Sequence, residues 1–220
     1  MRTVVTMQRA RSAPDESFQS GEKGLVRDYG STPFTLSFFT FRIAIMPAIT
    51  SDTSAETCPD CRVQLAPVVS TKHPYFGCSA SCWAVYTEIL AREYSSLALM
   101  KSVHRLTVDA YAAQHPGKTE RRTIQSVWVH LAGLYLILER GLANDFATRV
   151  IGALTKEAEP LIWLTPPERL GSVTVIDVVE ASGATEHEEA VRRWAHDVWE
   201  AWKPHHERVQ ARVSRILALN

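Results

Sequence analysis

Outside residues 58–82 this 220-residue chain has no cysteine, so whatever cysteine chemistry it carries is local. It has no surplus of either charge: 24 basic residues stand against 24 acidic ones, and the pI is near 7.1. That balance excludes a general electrostatic grip on DNA or RNA. No apolar run reaches the length that spans a bilayer. There is no G-x-S-x-G, P-loop, dinucleotide fingerprint or H-E-x-x-H, so no common catalytic signature is legible. No internal repeat appears, and nothing like a secretory leader precedes the cysteines.

What is present is concentrated. Cys58-Pro59-Asp60-Cys61 is a C-x-x-C knuckle, followed by Cys78 and Cys82, with His73 and Tyr75 just ahead of them. Two thiolates separated by two residues reach one tetrahedral ion, because the turn between them presents its amides to the sulfurs. A second pair of ligands from about fifteen to twenty residues away closes such a site. Pro59 fixes one dihedral of the turn. Ser79 and Ser81 are N-cap residues for a helix starting near Cys82, where the helix dipole favours a thiolate. The spacing points to zinc and admits two ligand sets: Cys58, Cys61, Cys78 and Cys82, or the same with His73 replacing Cys78. Three other readings compete. A redox pair lacks the surrounding βαβ pattern, disulfides lack a leader, and Cys78 alone reads equally as a small buried hydrophobe.

The first fifty residues differ in character from the rest. Residues 1–32 are polar and aperiodic, and Pro33-Phe34-Thr35-Leu36-Ser37-Phe38-Phe39-Thr40-Phe41 alternates like a strand that has no obvious partner downstream. The expectation is that Met46 is the true start and that residues 1–45 over-extend the frame. A disordered tail or an unusual targeting segment is the alternative. Residues 50–57 read as a polar, mobile linker. The chain therefore divides into an N-terminal segment, 1–57, a zinc-knuckle module leading into the first helix, 58–95, and an α-helical bundle, 96–220. The fold class is mainly α.

From Cys82 the pattern is helix after helix. The periodicity predicts helices over 82–94, from 97 to about 115 with Pro116-Gly117 as the stop, over 123–140 with Gly141 closing, and over 145–156. Residues 160–170 read as an irregular crossing. Thr174 and Asp177 form a capping box for a short helix to Ala181. The last element runs from Thr185 toward Leu219, kinked or split at Pro204. Trp194, Trp199 and Trp202 make a broad apolar band on it. Arg121-Arg122 and Arg192-Arg193 read as solvated faces.

Candidate reactive groups lie within these helices. Residues 127–138 are apolar nearly all round, so His130 is a buried imidazole in need of a partner, while Gly133 lets a neighbouring helix approach. His104, Val108, Tyr111 and His115 share one face at i, i+4, i+7 and i+11. His104 and His115 are roughly 16 Å apart at about 1.5 Å per residue, too far to share an ion. Asp109 lies on another face, placed to orient a ligand or pair with an arginine. Gln114 and Gln125 read as satisfying exposed backbone ends. His205 and His206 offer further imidazoles to a bundle site.

The string Cys58-Pro59-x-Cys61, His73-x-Tyr75, Ser81-Cys82-Trp83-Ala84 and 88–95 resembles an uncharacterised bacterial family catalogued as domain of unknown function 5946. So do 104–111, Gln114-His115-Pro116-Gly117, 125–131, Trp194-Ala195, Trp199, Trp202 and His205-His206. The resemblance covers about Cys58 to Val213. It implies that the Cys78 position is commonly small, which favours Cys58, Cys61, His73 and Cys82 as the zinc set; it implies no activity. Two functions follow as expectations. One is a cytoplasmic binding or adaptor module with a structural zinc, recruiting a protein or small molecule and neither nucleic acid nor membrane. The other is a metal-assisted hydrolase or small-molecule transferase using His104, Asp109, Tyr111, His115, His130 and His206.

Overall fold

The computed structural model describes residues 55–218, so the expectations for the frame start and the alternating segment at 33–41 lie outside the described residues. Part of the expected linker is ordered. Glu56–Thr57 (β1) pairs antiparallel with Gln64–Leu65 (β2), in register Glu56 to Leu65 and Thr57 to Gln64. The Cys58–Cys61 turn joins these two strands. Arg62 completes it with φ at +65°, its N–H donating to the Cys58 carbonyl at 3.1 Å, while the Cys58 N–H donates to Val63 at 2.9 Å.

The fold is mainly helical, as expected. Helix α1 (Ala80–Tyr94) starts at the expected cap: the Ser79 hydroxyl accepts the Cys82 N–H at 3.1 Å. The single helix expected over 97–115 is instead two, α2 (Leu97–Ser102) and α3 (His104–Gln114). Val103 breaks the run; it leaves helical dihedrals (φ −134°, ψ −16°) and is fully buried. Helix α4 (Arg121–Leu134) runs on into one π turn, Tyr135–Glu139, before Gly141 turns out at φ +61°. Then come α5 (Asn144–Leu154), an irregular crossing, α6 (Val175–Val179) and α7 (Ala184–Ala201). The Thr174–Asp177 capping box forms as the sequence predicts. Pro204 sits in a 3₁₀ turn, Lys203–His205, that separates α7 from α8 (His206–Ala218).

Helix α3 is the hub, packed against α4 and α7, while α1 packs on α6. Trp194, Trp199 and Trp202 are all but fully buried, as the apolar band predicts. Their indole N–H groups find acceptors: Gln114 Oε1 (2.9 Å), Glu139 Oε1 (2.8 Å) and the Ala113 carbonyl (3.0 Å). Buried polar atoms are tolerated only when partnered in this way. Gln114 corrects the sequence reading. It is fully buried and, beyond Trp194, donates to the Leu170 and Val173 carbonyls at 3.0 and 2.9 Å, pinning the crossing segment to the end of α3.

Gly133 does bring α4 close to α3. A side chain there would overlap the Asp109 carboxylate. Asp109, fully buried, accepts from Arg105 Nε at 2.7 Å and from His130 Nδ1 at 2.8 Å. Among the described residues no helix is long and apolar enough to cross a membrane.

Candidate metal centre

The knuckle, the start of α1 and the end of α3 meet at one point. Cys58, Cys61, Cys82 and His115 each place a donor atom within 4.8 Å of the others, and all four are buried. The Cys61 and Cys82 sulfurs are 3.9 Å apart, and Cys82 Sγ lies 3.5 Å from His115 Nε2. The fourth member of this group differs from the sequence expectation. The side chain that completes the group is His115, where the sequence reading placed His73 or Cys78. His73 lies outside the group, stacked on Phe76 at 4.2 Å and packed against Tyr75 and Trp83. Cys78 is buried but also stays outside.

The imidazole is oriented for the role. His115 Nδ1–H donates to the Tyr111 carbonyl one turn back at 2.7 Å, which leaves Nε2 with its lone pair facing the sulfurs. Tyr111 acts twice, since its phenol also donates to Cys82 Sγ at 3.8 Å. Its ring stacks on Tyr86 at 3.7 Å, which fixes the phenol in place.

The surrounding loops are built around small residues. Asp60 of the knuckle accepts the Gly117 N–H at 3.4 Å, and a side chain at Gly77 would overlap its carboxylate. Gly77 donates to the His115 carbonyl at 3.4 Å. Gly117 has φ at +70°, and a Cβ there would strike the Tyr75 carbonyl. Burial pushes the Asp60 carboxyl up from its ordinary value.

The three sulfurs share charge unevenly. Hydrogen bonds from Cys61, and next from Cys82, hold the Cys58 thiol far below its usual range. The same contact with Cys58 pushes Cys61 up to about 12 and raises Cys82 as well. Thiols this close oppose one another's ionisation, and all three ionise together only beside a cation. The arrangement can hold a metal ion.

The remaining candidates for catalysis do not converge. His104 Nδ1 donates to Glu93 Oε2 at 2.7 Å. His130 is held by Asp109, and His206 stacks on Trp199 at 3.7 Å with Nε2 donating to the Trp199 carbonyl at 2.8 Å. These three imidazoles sit in three separate hydrogen-bonded niches. Sequence reasoning missed the most connected of these niches. Glu93, fully buried, also accepts from Thr107 Oγ1 at 2.5 Å and from His187 Nε2 at 3.0 Å. Arg92 donates to His187 Nδ1 at 3.3 Å, so His187 is the neutral tautomer with its proton on Nε2. A charged pair, Arg92-Glu93, late in an otherwise amphipathic helix was the available signal.

Fold and site together define a helical protein carrying a Cys3His group able to hold a metal ion. The chain belongs to a family of unknown function, DUF5946, whose profile matches residues 56–203 and so includes all four donors. No curated protein and no solved structure matches the chain.

Proposed function

We propose that Cys58, Cys61, Cys82 and His115 hold one structural zinc ion and that the protein is a binding or adaptor module. The observation that carries this is the closed geometry of the group. Zinc bonds of about 2.3 Å to sulfur and about 2.0 Å to nitrogen set two sulfurs roughly 3.8 Å apart in a tetrahedron, and a sulfur and a nitrogen roughly 3.5 Å apart. The Cys61–Cys82 and Cys82–His115 separations are 3.9 and 3.5 Å. Four protein donors, all buried, leave no open position for substrate, which is the mark of a structural ion. The separation of His104, His130 and His206 into different niches supports the same reading over an enzyme. Four unpaired thiols suit a reducing compartment, and the cytoplasm is our assignment. The partner is an unidentified protein or small molecule, recognised by the bundle that the ion anchors.

Metal analysis by mass spectrometry of the intact protein and of a Cys58→Ser/Cys82→Ser variant tests the assignment. About one zinc per chain is expected in the first and none in the second, with order lost over residues 55–79. Metal retained by the variant, or turnover by the zinc-loaded protein that the variant loses, overturns it.

A further inference from the structure

Arg208, Arg212 and Arg215 recur at i, i+4 and i+7 and therefore share one face of α8. That face bounds a cleft of about 880 Å³, in the size range of small-ligand sites. Glu159, Pro160 and Ile162 form the opposite wall, and Trp128 of α4 lines the interior. The Trp128 indole N–H donates to the Ile162 carbonyl at 2.7 Å, so the ring's one polar atom is satisfied, and the ring, buried in the core, forms the floor of the cleft. Ile162 is 50% exposed at the lip, an apolar side chain left in water.

The arginines already hold a carboxylate, and it comes from the chain itself. Glu159 bridges Arg212 Nη1 at 2.6 Å and Arg215 Nη2 at 3.1 Å, yet its side chain is 61% exposed. Arg212 has a second anchor in Glu157, so it stays neutralised when Glu159 moves. Arg208 has no ion-pair partner among the described residues. With Glu159 swung out, the three arginines face Glu157 and Glu207, which leaves one positive charge for a monoanion.

We propose that this cleft binds a small amphiphilic carboxylic acid, its apolar body against Pro160 and Ile162 above the Trp128 edge and its carboxylate displacing Glu159 from the arginines. Glu159 is then a built-in competitor for the ligand. The cleft shares no residue with the Cys3His group, so its fate is separate from the zinc reading.

Naphthalene-2-carboxylate serves as probe, titrated into the full chain by calorimetry and by two-dimensional amide and indole spectra. One saturable site is expected, with the Trp128 indole signal shifting among the six tryptophans. Arg215→Ala is expected to weaken binding about fivefold and Glu159→Ala to tighten it about fivefold, the scale of one exposed ion pair. Naphthalene-2-carboxamide, the same body without charge, is expected to bind several-fold more weakly than the acid. Thermal melts check that both variants keep the fold. A Trp128 signal that does not move, acid and amide that bind alike, or a Glu159→Ala variant that binds no better than the parent overturns the proposal.

Discussion

The segment before α1 and the helices after it are held by different means. Among residues 55–79 the fully buried positions are Cys58, Cys61, Cys78 and Ser79, so no large apolar side chain is completely removed from water there. The helices bury four tryptophans and an interlocking set of leucines, valines and isoleucines. Val63, Leu65 and Phe76 are only half-buried against the core, a modest gain from burial, and the shape of this stretch comes chiefly from heteroatoms aimed at one point. The bundle has the reverse problem. Its hydrophobic core is ample, and its fully buried carboxylates, Glu93 and Asp109, persist because each is held by several partners. His115 belongs to both regimes, ending the central helix while completing the cysteine group.

The largest expected effect separates the two histidines that compete for the first region. His115→Ala should weaken zinc binding at least about 100-fold in competition with a chelating dye, a loss beyond that of an outer-shell partner. His73→Ala should leave metal content unchanged. The opposite result would break the comparison at its centre. Next is Glu93→Ala, which strips Thr107, His104 and His187 of their shared acceptor. It should cost about 4 kcal/mol in chemical denaturation while leaving the metal in place. Gly133→Ala forces a methyl onto the Asp109 carboxylate and should cost about 2 kcal/mol.

The smallest effect lies at β1. The Ser81 hydroxyl, donating to Glu56 at 2.7 Å, holds that carboxyl below its ordinary value. A carboxyl lowered in the folded state contributes stability that is present above its unfolded value and fades as pH falls through the folded one. Acid titration of residues 55–79 by hydrogen exchange should therefore show a limb that Glu56→Gln flattens.

Local signals were legible in the sequence. Ser79, the Thr174–Asp177 box, Gly141 and Pro204 each act within a few residues of themselves, and each does in the structure what the sequence predicts. The break at Val103 was not legible, because a buried valine carries no turn signature. The knuckle and Cys82 were readable from spacing. His115 was not, since it lies 33 residues beyond Cys82 and reaches it only through the packing of α1 on α3. Its pairing with Tyr111 on one helix face was visible, but the face's destination was not. Glu93, His187 and Thr107 likewise meet only because three helices converge.

Helix α6 is five residues long, too short to persist by itself. One guanidinium from α1 closes its end: Arg92 donates to the carbonyls of Val178, Val179 and Ala181. The partners stand 86 to 89 residues apart in the chain. The short helix therefore cannot open to solvent exchange on its own account. Its amides become accessible only when the guanidinium lets go, so the two distant segments share one cooperative opening event and one protection level.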